Sequence, residues 1–301
     1  MTFEEKIKLA EQLRSSSVLE AELPETFEQY QNETICEEHF VNTREGDTRI
    51  YIIKKKDKSE NCPLYINIHG GGFVRPHMDR DILFCSRISY EADCVTVDVD
   101  YKLAPEYPYP IAFNECYDIV KWAFENAEYL GIDPSKVVVG GHSAGGNLTA
   151  AIALKANETK DFTMRLQILD YPPMDLYTDP MEKEGADASL ISPERARAFN
   201  ALYAGDPDIA KDPYVSPVFA TADMMKGLPE ALVITAGKDN LRFEAEQYAS
   251  KLIAAGVKVT AKRYLDCRHG FMTHCVDDYM EGQKLYIETM KQIFTKEEEN
   301  Q

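Results

Sequence analysis

Between Val137 and Asn147 the chain reads Val-Val-Val-Gly-Gly-His-Ser-Ala-Gly-Gly-Asn. Three β-branched residues favour a strand, and the small residues after Ser143 run into a helical pattern. A strand that yields to a helix this abruptly must turn sharply. Gly141 and Gly145 flank the serine because larger side chains would clash at such a turn, which pushes the Ser143 hydroxyl out above the sheet. Behind it, the free N–H groups of the helix's first turn would stabilise negative charge. A glycine-rich strand-to-helix turn is also a common structural joint, so the rest of the chain has to supply the partners.

The surrounding sequence keeps the same rhythm. A helix is expected from Thr2, with Glu5 at capping-box spacing and Phe3, Ile7, Ala10 and Leu13 at helical intervals; a loose acidic stretch follows to about Asn32. Thr34–Val41 and Arg49–Ile53 alternate like antiparallel strands around Arg44-Glu-Gly-Asp47, and Leu64–Ile68 reads as a buried strand running into His69-Gly-Gly-Gly-Phe73. Strands are then expected at Cys94–Val99, Leu166–Leu169, Ala231–Thr235 and Lys258–Tyr264. Helices are expected near Asp81–Ala92, Ala112–Leu130, Phe243–Ala255 and Asp277–Phe294. Such alternation implies an α/β fold, a mostly parallel central sheet with helices on both faces. Only Tyr177–Asp212 breaks the pattern, with a short helical run at Pro193–Tyr203; an insertion of this kind is the usual origin of a lid.

With 301 residues and 44% hydrophobic content, the chain can build one large domain. No stretch approaches 18 uninterrupted apolar residues, and the start Met1-Thr-Phe-Glu-Glu-Lys lacks a secretory pattern, so a soluble cytoplasmic protein without membrane insertion is expected. Seven cysteines without C-x-x-C spacing suggest neither disulfides nor zinc. A net charge of −18 argues against nucleic acid. A homodimer is left open.

In an open α/β sheet, functional groups collect at the carboxyl ends of strands. His69-Gly-Gly-Gly72 follows one, and the N–H groups of Gly70, Gly71 and Ala144 could form an oxyanion hole. On such an elbow the acid and then the base follow the serine in the chain, which leaves His269 and His274 of six histidines. His269 sits in the loop after the last strand and is preferred; His69 is expected to buttress its own loop, and His39 to lie at the surface. Asp239, just past the penultimate strand, is the favoured acid, although a helix N-cap explains an aspartate there equally well. Asp170, Asp175 and Asp266 are its rivals.

The ordered motifs His69-Gly-Gly-Gly-Phe73, Asp100-Tyr-Lys-Leu-Ala-Pro-Glu106, Gly141-His-Ser-Ala-Gly-Gly146, Ser216-Pro217, Leu228-Pro229, Asp239 before Leu241, and His269-Gly-Phe271 resemble the hormone-sensitive-lipase-like branch of α/β hydrolases. The resemblance implies a carboxylesterase acting on short acyl esters without cofactor or metal, with Ser143, Asp239 and His269 as triad and Gly70, Gly71 and Ala144 as oxyanion donors. It also implies a single domain over residues 1–301 with a helical cap from about 1–35 and 177–212. Two departures stand out. His142 replaces the family's usual Asp before the nucleophile; it is expected to support the site with its ring turned away from Ser143, and His142→Asp to change activity by less than roughly tenfold. Asn240 and Phe243-Glu-Ala245 replace the usual Pro and Asp-Glu-Gly, with local consequences only. Two other functions stay in view. Arg75, His77 and Asp79 after the glycine loop would suit deacetylation of a sugar or other polar ester, and a decayed hydrolase would bind a ligand without turnover, which the intact serine, acid and histidine disfavour.

Overall fold

The structure, a computed structural model, describes residues 1–16 and 22–296. Its first helix, α1 (Phe3–Ser15), is capped reciprocally: Thr2 Oγ1 accepts from the Glu5 N–H at 3.2 Å and the Glu5 carboxylate accepts from the Thr2 N–H at 2.7 Å. The stretch expected to be loose contains α2 (Thr26–Glu33), while its residues 17–21 lie outside the described residues. Phe27 accounts for the difference, being buried against Leu83 and Cys275. Tertiary packing therefore stabilises a short helix that has no side-chain cap of its own. Strands β1 (Thr34–Thr43) and β2 (Gly46–Lys55) pair antiparallel around Arg44 and Glu45.

From there the chain winds through β3 (Cys62–Ile68), α3 (Asp79–Ala92), β4 (Val95–Asp100), α4 (Ile111–Glu125), α5 (Ala127–Leu130), β5 (Ile132–His142), α6 (Ala144–Thr159) and β6 (Leu166–Asp170). The insertion carries α7 (Pro193–Tyr203) and α8 (Pro207–Ala210). After α9 (Ala222–Met225) come β7 (Glu230–Lys238), α10 (Arg242–Ala254), β8 (Val259–Arg268), α11 (Phe271–His274) and α12 (Tyr279–Thr295). The helix expected over Ala112–Leu130 is divided at Asn126, whose side chain and N–H both bond the Trp122 carbonyl. β8 runs four residues beyond the alternating pattern at Tyr264, which sets His269 directly at its end.

The described strands form an eight-stranded sheet in the order β1-β2-β4-β3-β5-β6-β7-β8, parallel from β4 onward and antiparallel where β2 joins β1 and β4. Successive side chains of a strand face opposite ways, so Leu64, Ile66, Ile68, Val137 and Val139 join one core with α4, α6 and α10. Tyr65, Val138, Ile168 and Ile234 join the other with α3 and α12. Both faces are covered, which is why these strands read as continuous apolar runs. Because β3, β5, β6, β7 and β8 are parallel, the residues after them share one edge of the sheet. Among the described residues no helix is long and apolar enough to cross a membrane.

Candidate active site

A single residue separates β5 from α6. Ser143 has φ 52° and ψ −117°, a conformation that L-residues rarely adopt. It is held there from both sides: the Ser143 N–H donates to the Asp170 carbonyl at 2.8 Å, and the Ser143 carbonyl accepts from the Asn147 N–H at 3.1 Å. A Cβ on Gly145 would overlap the Ile68 carbonyl oxygen, so the helix can approach β3 this closely only with glycine there.

At the shared edge the side chains after β5, β7 and β8 meet. Ser143 Oγ lies 2.9 Å from His269 Nε2, and His269 Nδ1 lies 2.7 Å from Asp239 Oδ2. Asp239 is fully buried, and its other oxygen accepts from the Leu241 N–H at 3.0 Å, so one carboxylate both ties the start of α10 and orients the imidazole. Burial opposes a charge on His269, but the Asp239 carboxylate and its hydrogen bond, together with Asp170, outweigh it and hold the pKa above its ordinary value; the Arg195 charge subtracts from this.

The rivals are engaged elsewhere. Asp170 bonds His142, Asp175 accepts from the Tyr177 and Thr178 N–H groups, and exposed Asp266 pairs with Lys238 at 3.4 Å. His274 ends α11 with its ring against Gly270; burial, and then the neighbouring His269, depress its pKa to about 4. His39 is half-buried on β1 beside Tyr129.

The glycine loop lies against the elbow. A Cβ on Gly70 would come within 3.0 Å of the His142 carbonyl oxygen and 3.5 Å of Ser143 Cβ, and Gly71 has φ +118°. Among the described residues, no turn or loop hydrogen bond uses the N–H of Gly70, Gly71 or Ala144. His69 does support its loop: its Nδ1 is 2.7 Å from the Gly70 carbonyl, its ring stacks on Tyr101 at 4.1 Å, and Tyr101 Oη donates to the His69 carbonyl. Above the loop, Tyr203 of α7 stacks on Phe73 at 3.7 Å and Phe199 covers Gly72. α1 packs against α7, and Arg14 fastens it by bonding the Val74 and Ala104 carbonyls and the Glu106 carboxylate. α2 packs instead on α3.

His142 turns into the interior, where Nδ1 meets Asp170 Oδ2 at 2.6 Å and Phe84 packs edge-on at 4.6 Å. The trio Arg75, His77 and Asp79 does not line the loop as a unit. The His77 side chain is buried, bonded to Asp98 at 2.6 Å and stacked on Tyr51; burial opposes its charge, but Asp98 wins and raises its pKa to about 9. Asp79 begins α3 and Arg75 reaches the Ser16 carbonyl. The departures after Asp239 reach further than expected. The Asn240 amide bonds the Asp187 and Ile191 carbonyls, and the buried Glu244 carboxylate accepts from the Met174 and Asp175 N–H groups and from Lys183 Nζ. Both tie the insertion to α10. An acidic residue in the first turn of a helix, on the face it shares with Tyr248 and Leu252, was the available signal.

The family model for the alpha/beta hydrolase fold matches residues 65–273. The chain belongs to the hormone-sensitive-lipase-like α/β hydrolases. Among its relatives, esterase LipI of Mycobacterium tuberculosis is 34% identical, over 75% of this chain and 70% of LipI. An arylesterase of Saccharolobus solfataricus is 31% identical, over 75% of this chain and 78% of its own. Among solved structures, a hyperthermophilic esterase from the archaeon Pyrobaculum calidifontis superimposes with a TM-score of 0.83 at 32% identity, covering 96% of this chain and 93% of that one. The hydrolase thus shares its architecture with esterases over nearly its whole length.

Proposed function

We propose that the hydrolase is a serine carboxylesterase that cleaves short-chain acyl esters through an acyl-enzyme. Hydrolysis of carboxylic esters follows from the family and its esterase relatives; the mechanism rests on the unbroken hydrogen-bonded series Ser143–His269–Asp239. His269 Nε2 takes the Ser143 proton as Oγ attacks the ester carbonyl. The N–H groups of Gly70, Gly71 and Ala144 receive the oxyanion, each donor being worth roughly 2.7–4 kcal/mol of barrier. The carbon–alkoxy bond then breaks, and His269 returns the proton to the departing alcohol. Water, deprotonated by His269, attacks the acyl carbon, releases the acid and restores Ser143. Asp239 fixes the tautomer with the proton on Nδ1 and favours the imidazolium that forms. The cysteines stand as free thiols, which fits a reducing cytoplasmic setting.

We also assign α1 and α7 to a cap over the acyl pocket, because Phe199 and Tyr203 cover the glycine loop and Arg14 fastens α1 beside it. A cap of two short segments encloses a small pocket. To test the serine mechanism, kcat is compared across alanine variants. Ser143→Ala and His269→Ala are expected to lose about 10⁴- to 10⁶-fold, with His274→Ala mild. Activity of more than a few per cent in pure Ser143→Ala, or the reverse histidine ranking, would overturn it.

A further inference from the structure

Helix α7 carries two arginines, two residues apart, in opposite circumstances. Arg197 meets Asp179 at 2.7 Å and Glu194 at 3.9 Å. The Arg195 guanidinium, among the described residues, makes no hydrogen bond and has no carboxylate within 4.0 Å. What it does have is the Phe199 ring, 5.5 Å from Cζ to the centroid. Phe199 itself rests on the glycine loop, so closely that a Cβ on Gly72 would stand 2.5 Å from its Cδ1. The cation is thereby held over the loop beside Ser143, and its charge is felt at His269.

This is an unfavourable place for an unpaired cation. Arg195 is half-buried, and burial alone pulls its pKa down. It stands in the first turn of α7, where its N–H donates to Ser192 Oγ at 3.1 Å and the helix dipole favours anions. Among the described residues, the carboxylates that reach this part of α7, Asp179 and Glu194, pair with Arg197. A partly desolvated charge left without a counter-ion beside a reactive centre is completed by a ligand that brings one.

We propose that Arg195 selects substrate by binding a carboxylate carried on the ester, so that the hydrolase prefers anionic esters to neutral ones of the same shape. The proposal rests on the serine-esterase reading above. A planar guanidinium steadied on an aromatic face presents two parallel N–H donors, the geometry that a carboxylate accepts. The carboxylate sits on either the acyl or the alcohol side of the scissile bond, and two pairs of substrates separate these.

For the acyl side, the mono-4-nitrophenyl ester of glutaric acid is compared with 4-nitrophenyl 5-methylhexanoate. For the alcohol side, 4-acetoxybenzoate is compared with 4-acetoxybenzamide. Each kcat/KM is divided by the ester's second-order rate constant for hydroxide-catalysed hydrolysis, which leaves out intramolecular attack by the glutarate carboxylate, and the anionic-to-neutral ratio is read. The wild type is expected to favour the anion in one pair by about tenfold or more, less so at high salt. Arg195→Gln should collapse that ratio, Arg195→Lys should retain part of it, and Arg195→Glu should drive it below that of Arg195→Gln. Because a ratio is read, a general loss of catalysis cancels. A wild-type ratio at or below one in both pairs, or a ratio that Arg195→Gln leaves unmoved, overturns the proposal. Hydrolysis of the neutral esters that depends on Ser143 would then still stand, so the two readings fail separately.

Discussion

His142 shows what a single residue's sequence context can hide. Its motif position marks it as a supporting residue beside the nucleophile, and its ring does turn inward, but its partner Asp170 lies 28 positions away and follows a different strand. The same Asp170 is a plausible rival for the catalytic acid on sequence grounds, since it too ends a strand. Which aspartate serves which histidine is decided by the lateral order of β5, β6, β7 and β8, and no spacing rule encodes that order. The pairing also changes the expectation for His142→Asp. A second carboxylate would face Asp170 in a site where burial already pushes the Asp170 pKa up and the His142 contact is the largest of the interactions that pull it down, ahead of Tyr171 and His269. Carboxyls whose folded pKa is raised contribute stability at low pH and lose it as pH rises through that pKa. The variant should therefore be less stable by roughly 3–5 kcal/mol near pH 8 and by clearly less near pH 5. Urea unfolding at the two pH values checks this. A loss that is equal at both, or greater at the lower, contradicts the buried-pair account.

At the scale of elements, the strand-to-helix units were legible because burial on both faces writes an apolar run into each parallel strand, as in Val137–Val139. The Pro193–Tyr203 helix was legible as a short helical run, and the structure starts it with Ser192 as its cap and Pro193 in its first turn. α2 was not, because its stability lies in one buried ring, Phe27, rather than in periodicity. Nor were the tethers Asn240 and Glu244, whose partners Ile191 and Lys183 belong to the insertion. α1 and α2 consequently have different jobs: α1 packs on α7, whereas Phe27 of α2 is part of the core beside α3. Deleting residues 1–16 should leave the protein folded but blunt its acyl-length preference, while deletion through residue 30 should also destabilise it. In the intact enzyme each methylene that fits adds about 0.8 kcal/mol until the pocket is full. kcat/KM for acetyl through dodecanoyl esters, with thermal melts of each form, measures both effects; an unchanged acyl profile after loss of residues 1–16 would contradict a cap role for α1.

For the whole molecule, the parallel sheet gathers residues far apart in the chain onto one edge and excludes most of their neighbours from it. Ser143 and His269 are 126 positions apart yet 2.9 Å from contact atom to contact atom, and Asp239 completes the series from a third strand end. The central claim is that this series makes Ser143 a nucleophile that carries the acyl group. It is tested most directly by mixing the enzyme with excess 4-nitrophenyl acetate, quenching in acid within the first turnover, and mapping acetylated peptides by mass spectrometry. The account expects acetyl on the peptide bearing Ser143, none in Ser143→Ala, and a burst of nitrophenol equal to the enzyme present wherever deacylation is the slower step. Acetyl found on another side chain of the wild type, or turnover persisting in Ser143→Ala, would contradict it.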